Sequence, residues 1–285
     1  MKRLTISGLW LAGLLSAGAV LAEPVAMVTD VGGSVSVVDG GKGGKVELLS
    51  YLEPGMTLQL DPHAHLTATF FSKPVEYRFA GPARLTVEQD RILAGDGKAE
   101  THAVSLQKSS AAKKFTVAQR ESVTLAAFEM RAGRPGLRLS DPVDTSLLDG
   151  GSLVFSWDGP RPKGGYQLSL YGGAGKLLHQ AVLDASSWSP PAGLLAAGKA
   201  YEWEIRAALD NGEVLTARGD FSMADSATAR SVQAQAPQAA APFSERVLYA
   251  VYLEQKGFKY DARQIWKELA KEHPDDLVAQ EHSSR

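Results

Sequence analysis

Tyr201-Glu-Trp-Glu-Ile-Arg-Ala207 alternates apolar and charged side chains over most of its length. In an extended chain successive side chains point to opposite faces. Tyr201, Trp203 and Ile205 therefore share one face, and Glu202 and Glu204 share the other. That period of two predicts a strand with one face in a core and one in water. The same reading spreads outward to Ser152-Leu-Val-Phe-Ser-Trp157, Tyr166-Gln-Leu-Ser-Leu-Tyr171 and Lys176-Leu-Leu-His-Gln-Ala-Val-Leu183, with residues 214–221 closing the sheet. These strands define a β module over residues 139–224, with Trp157 and Trp203 expected in its core.

A second run of short strands lies upstream. Val25-Ala-Met-Val-Thr29, Ser34-Val-Ser-Val-Val38 and Lys45-Val-Glu-Leu-Leu49 are rich in β-branched and apolar residues. Met56-Thr-Leu-Gln-Leu60, His65-Leu-Thr-Ala-Thr-Phe-Phe71, Val75-Glu-Tyr-Arg-Phe79 and Ala83-Arg-Leu-Thr-Val-Glu88 continue the pattern, with Gly and Pro between them. Strands at this spacing, with no helical crossover, predict an antiparallel sandwich or barrel over residues 23–138. Residues 122–131 fit either a last strand or a short helix.

The chain has 285 residues, 44% of them hydrophobic and 22% charged, the composition of a globular protein with a real core. Residues 1–22 combine Lys2 and Arg3 with an apolar stretch over 9–21 and then Val20-Leu-Ala22, the order of a cleaved secretory signal peptide. An uncleaved anchor is the alternative, for which the apolar stretch is short. Removing Lys2 and Arg3 takes the formal net charge from −2 to −4, and no basic stripe suggests nucleic acid as a partner. The chain contains no cysteine, which excludes disulfides and thiolate chemistry. These features predict a periplasmic or secreted protein with no membrane span once the leader is gone.

Residues 225–242 hold one valine and no larger aliphatic or aromatic residue, and predict a flexible linker. Beyond it, Val247, Leu248, Val251 and Tyr252 fall at helical spacing, with Ser244 as cap and Gly257 as stop. A second helix is predicted from Lys259 to Glu272, before Pro274, with Ala262, Ile265, Trp266, Leu269 and Ala270 as its apolar stripe. The fold class expected is mainly β: two antiparallel β modules followed by an α-hairpin over residues 243–285.

Three resemblances attach to these segments. Val28-Thr-Asp-Val-Gly-Gly-Ser-Val-Ser-Val-Val38, Leu52-Glu-Pro-Gly-Met-Thr-Leu58 and Glu76-Tyr-Arg-Phe-Ala-Gly-Pro-Ala-Arg84 resemble the FecR-like domain of bacterial envelope proteins, over residues 25–104. That resemblance implies a periplasmic β domain. Val154-Phe-Ser-Trp157, Tyr166-Gln-Leu168 and Leu195-Ala-Ala-Gly-Lys-Ala-Tyr-Glu-Trp203 resemble fibronectin-type or immunoglobulin-like sandwiches. Ala250, Ala262, Trp266 and Pro274 resemble one tetratricopeptide-type hairpin. A single hairpin leaves a face to cover, so it is expected to dock on the β modules, to pair with another chain, or to remain marginal in stability.

Motifs for chemistry are sparse. The glycine-rich run 40–45 lacks the P-loop spacing, since Asp39 precedes it and Val46 follows Lys45. His63 and His65 are weak metal candidates, because positions two apart on a strand point to one side. Glu88 with Asp90, and Asp275 with Asp276, are carboxylate pairs without a recognisable catalytic context. The reading is a non-catalytic periplasmic adaptor or scaffold with no cofactor, binding unidentified envelope proteins. Tyr249, Tyr252, Phe258 and Trp266 of the hairpin are its expected partner-binding residues. A glycan- or peptidoglycan-binding role, through Trp188 and Tyr171, is one alternative. An envelope hydrolase is another.

Overall fold

The computed structural model describes residues 23–38, 43–73, 75–95, 100–103 and 136–284. Residues 1–22, expected to be a leader, and the ambiguous stretch 122–131 lie outside them. The protein is mainly β, with helices at its C-terminal end.

The first module contains β1 (Ala26–Gly32), β2 (Val35–Val37), β3 (Tyr51–Leu52), β4 (Thr57–Leu60), β5 (His65–Phe70), β6 (Val75–Ala80), β7 (Ala83–Val87), β8 (Ile92–Ala94) and β9 (Glu100–Ala103). They form two antiparallel sheets, ordered β3-β1-β5-β6-β9 and β2-β4-β7-β8. β7 shows the alternation that builds them: Ala83, Leu85 and Val87 are buried while Arg84 and Thr86 are exposed. β1 behaves differently, because both its faces are covered. Ala26 and Val28 enter the core of the module, whereas Met27 belongs to a second core shared with the C-terminal helices. A strand buried on both faces reads as a continuous apolar run, as Val25-Ala-Met-Val does.

The expected strand at 45–49 does not form. Lys45 makes one isolated bridge to Ser36, and the chain then turns, with Leu49 at φ 63°. Val46 plugs the core of the first module and Leu48 the helical core. The apolar side chains of this segment thus fill two separate cores, where a strand would line one face.

The second module contains β10 (Arg138–Asp141), β11 (Thr145–Leu147), β12 (Phe155–Asp158), β13 (Tyr166–Tyr171), β14 (Leu177–Leu183), β15 (Ser187–Trp188), β16 (Ala200–Ala208) and β17 (Val214–Met223). Its sheets are ordered β10-β12-β15 and β11-β17-β16-β13-β14. All pairings are antiparallel except β11 with β17. Trp157 and Trp203 are both buried in its core. Trp203 donates its Nε1–H to the carbonyl of Pro142 at 2.7 Å. It lies across from Gly219, where an added Cβ would come within 3.0 Å of Leu139 and 3.1 Å of Val143. Tyr201 closes a tyrosine corner at the start of β16: its hydroxyl accepts the N–H of Ala196 at 2.7 Å.

The segment expected to be a flexible linker contains a helix, α1 (Ser226–Gln233). Asp225 caps it, accepting the N–H groups of Ala227 and Thr228 at 2.9 Å each. The one valine of the segment, Val232, is 4% exposed and joins the helical core. Low hydrophobicity suggested a chain with too little to bury. One anchored side chain and a well-made cap suffice once neighbouring helices supply the other wall.

α2 (Phe243–Gln255) and α3 (Lys259–Glu272) form the hairpin, and α4 (Leu277–Ser284) adds a third helix that the periodicity did not signal. Asp276 starts α4 by accepting the N–H groups of Val278 and Ala279. Gly257 ends α2 at φ 83°. The N–H of Phe258 bonds the carbonyl of Leu253 and that of Gly257 the carbonyl of Glu254, a Schellman motif. Ser244 does not cap α2: the N-cap is Pro242, without a side-chain bond, and the Ser244 hydroxyl donates to Glu76 of β6 at 2.9 Å.

The helices dock on both β modules. α2 packs on the outer face of β1 through Met27, and its Ser244 reaches Glu76 of β6. The start of α3 plugs into the second module. Tyr260 is 6% exposed there, accepting the N–H of Val154 and donating to the carbonyl of Ser152. Asp261 accepts the N–H of Leu148 at 3.1 Å, and Arg263 pairs with Asp141.

Candidate functional site

The docking of the helices leaves an open cleft of about 720 Å³ where the second module meets α1 and α2. Ser146 of β11, Ser222 of β17 and Lys199 just before β16 form one wall. Thr228 and Ser231 of α1 form the other, and Lys256, which follows α2, closes the end. The hydroxyls of Ser146 and Ser222 hydrogen-bond to each other at 2.9 Å. The Lys256 ammonium sits 5.8 Å from the centroid of the Tyr252 ring. Lys199 and Lys256 are exposed, and among the described residues neither forms an ion pair.

The acidic group on the rim is already engaged. Hydrogen bonds from the main chain and then the side chain of Thr228, with a further one from Ala227, hold the Asp225 carboxyl below its usual range. Those neutral donors leave its negative charge in place, but Lys199 and Lys256 outnumber it, so the charged residues of the cleft lining are net positive. Hydroxyls and ammonium groups in this arrangement suit a polar or acidic extended segment.

Tyr249, Tyr252, Phe258 and Trp266 do not form a partner surface: they are 6%, 5%, 3% and 0% exposed, inside the core shared by helices and β1. The hairpin had a face to cover, and its own chain covers it. Trp266 donates its Nε1–H to Glu254 at 2.9 Å, and the same carboxylate oxygen meets Nδ1 of His282 at 2.8 Å. Tyr252 reaches the cleft only as part of its lining.

Trp188 and Tyr171 are not brought together. Trp188 is half-buried, stacked on His179 at 4.9 Å and tilted against Phe155 at 5.1 Å. His179 pairs with the inward-facing Leu170, so Tyr171, next along β13, lies on the opposite face, across from Glu202. His63 and His65 do not share a strand face. His63 sits in a turn at φ 69°, and β5 begins at His65. His65 Nε2 lies 3.4 Å from Asp30, a hydrogen bond that raises the imidazole pKa against the opposing effect of burial. Among the described residues no group of three or more His, Asp or Glu is placed to hold a metal. Glu88 and Asp90 both lie beside Arg91, and Asp276 is taken by the α4 cap.

Lys199 and Lys256 were missed because they are remote in sequence and meet only through a helix in the supposed linker. The signal available was Asp225-Ser-Ala-Thr228, which has the spacing of a helix start.

No family model matches the chain, and no curated protein matches it. Among solved structures, CopC from Methylosinus trichosporium OB3b is 16% identical, covers 33% of this chain and 96% of its own, and has a TM-score of 0.27. A likeness at that level carries no argument about function. Among the described residues no helix is long and apolar enough to cross a membrane.

Proposed function

We propose that the chain is a non-catalytic adaptor of the cell envelope. In this reading a FecR-like β module and a fibronectin- or immunoglobulin-like sandwich are clasped by a tetratricopeptide-like hairpin, and the leader directs export to the periplasm. The partner docks where these parts meet, presenting an acidic, extended segment to the cleft between the second module and α1–α2. The supporting observation is the composite lining: β strands and helices contribute to one open cleft, whose two lysines have no acidic partner among the described residues. The Tyr201 corner supports the sandwich assignment, because it ties the start of β16 to the preceding loop as in that fold.

A photoreactive residue at Ser231, exposed on the cleft wall, tests the proposal in intact cells. The expected result is a discrete adduct that disappears when Lys199 and Lys256 are both changed to Glu, with the thermal midpoint of the protein unchanged. An adduct of equal yield in the charge-reversed protein overturns the cleft as the docking site.

A further inference from the structure

α1 is joined to the rest of the protein by very little. Of residues 225–241, which run from the end of β17 towards α2, Val232 alone is buried. It enters the helical core at 4% exposure. The hydrogen bonds of the segment are almost all its own. Asp225 accepts from Ala227 and Thr228, Arg230 donates to the carbonyl of Ser226, and the main-chain bonds stay within α1 and the turns after it. Among the described residues, the one bond that leaves it runs from the Tyr249 hydroxyl to the carbonyl of Val232, long at 3.5 Å. The two ends, by contrast, are fixed. The N–H of Ala224 bonds the carbonyl of Leu147, and Ser244 is held by Glu76.

The space around α1 matches this thin attachment. The cleft runs along one side of it, touching Ala227, Thr228 and Ser231. A second cavity of about 330 Å³ lies on the other side, touching Ser226 and Ala229. Leu148, Leu195, Pro190 and Pro191 form the rest of that cavity's wall. Met223 and Ala224 line both spaces, so α1 stands between them. A helix of eight residues is also well short of the roughly 12–15 at which an isolated helix becomes marginally stable in water. α1 therefore persists through its cap and through Val232. α2 differs in kind, since it buries the unbroken run Val247–Leu253.

We propose that α1 is a gate on the cleft: it detaches from the core, releasing Val232, while β17 and α2 stay folded. Lids of this sort are drawn from the least stable parts of a structure. Detachment joins the cleft to the second cavity across Met223 and Ala224, giving one longer groove. The segment proposed above to dock enters the open form, and its apparent affinity is reduced by the fraction of molecules that are open. The gate rests on that docking reading for what it admits, but its motion does not, and the motion is measurable on the protein alone.

Amide hydrogen exchange of the purified protein, resolved by residue and repeated in rising urea, reads the opening. The amides of Arg230 to Gln233 should be measurably protected, yet about a hundredfold or more less than those of Val251 to Leu253 in α2. Their exchange should not respond to low urea, because detachment exposes little surface, whereas that of α2 should. Val232→Ala should speed exchange in α1 about tenfold, with the urea response still flat. Protection in α1 equal to that in α2, with the same urea slope, would mean that α1 opens only when the whole protein unfolds, and overturns the gate. No protection in α1 overturns it too, since the gate would never close, as does an α1 whose exchange is unmoved by Val232→Ala. Crosslinking at Ser231 stands or falls separately from each of these results.

Discussion

The hydroxyl of Ser244 in α2 donates to the carboxylate of Glu76 in β6 at 2.9 Å, joining positions 168 residues apart in a buried contact. Glu76, 1% exposed, is also paired with Arg78. A carboxylate in such a place is tolerated only when its oxygens are satisfied. The bond therefore selects one seating of α2 on the first module. Ser244→Ala should lower stability by about 1–3 kcal/mol, the range for a buried hydrogen bond to a charged group. Urea denaturation followed by tryptophan fluorescence checks this, and a midpoint within error of the parent would refute it.

The second module is tied to α3 by Arg263 and Asp141, whose side chains are 15% and 12% exposed. Removing one partner strands the other. Arg263→Met alone should cost about 3 kcal/mol, while combining it with Asp141→Asn should recover most of that loss. The double-mutant cycle is read from chemical denaturation. Additive losses in the double variant would mean that the pair does not interact.

Asp261 gives the protein a pH signature. Burial raises its carboxyl to about 6, against the opposing bond from the N–H of Leu148. The folded state thus holds a proton that the unfolded state, with an ordinary carboxyl, has already released. Stability therefore falls as pH rises from about 4 through 6, and the penalty persists above that window. Asp261→Asn keeps an acceptor for Leu148 and cannot ionise. It should raise the thermal midpoint at pH 7.5 and leave it nearly unchanged at pH 4. An equal effect at both values would exclude titration of Asp261 as the cause.

The strands of the second module were legible because their apolar side chains fall on one face: β13 and β16 lie where the alternation of 166–171 and 201–207 places them. The other face is not simply wet, since Ser169 and Glu204 opposite each other are buried there and Arg218 pairs with Glu204. α3 was legible for the same reason, since one apolar stripe and Pro274 fix its face and its end. What escaped was everything decided between elements. The apolar residues of 45–49 divide between two cores, which no periodicity encodes. α1 depends on walls supplied by other segments. The hairpin aromatics were expected to bind a partner because an apolar stripe says that a face must be covered, not by what. The cleft lysines carry no local pattern at all.

That division has a consequence for truncation. A hairpin on a flexible tether could be removed with little effect on the rest of the chain. Here, deleting residues 243–285 uncovers Met27 and Leu48, which are 1% and 2% exposed in the intact protein, and leaves Glu76 without its serine. It also empties the place of Tyr260 in the core of the second module. An apolar sheet face laid open in this way favours association over solubility. The truncated protein should bind a hydrophobic dye such as ANS strongly, and its thermal midpoint should drop by 10 °C or more, on the order expected from losing several kcal/mol. A truncated protein that stays soluble, binds no dye and melts with the parent would mean that the helices do not hold the β modules together.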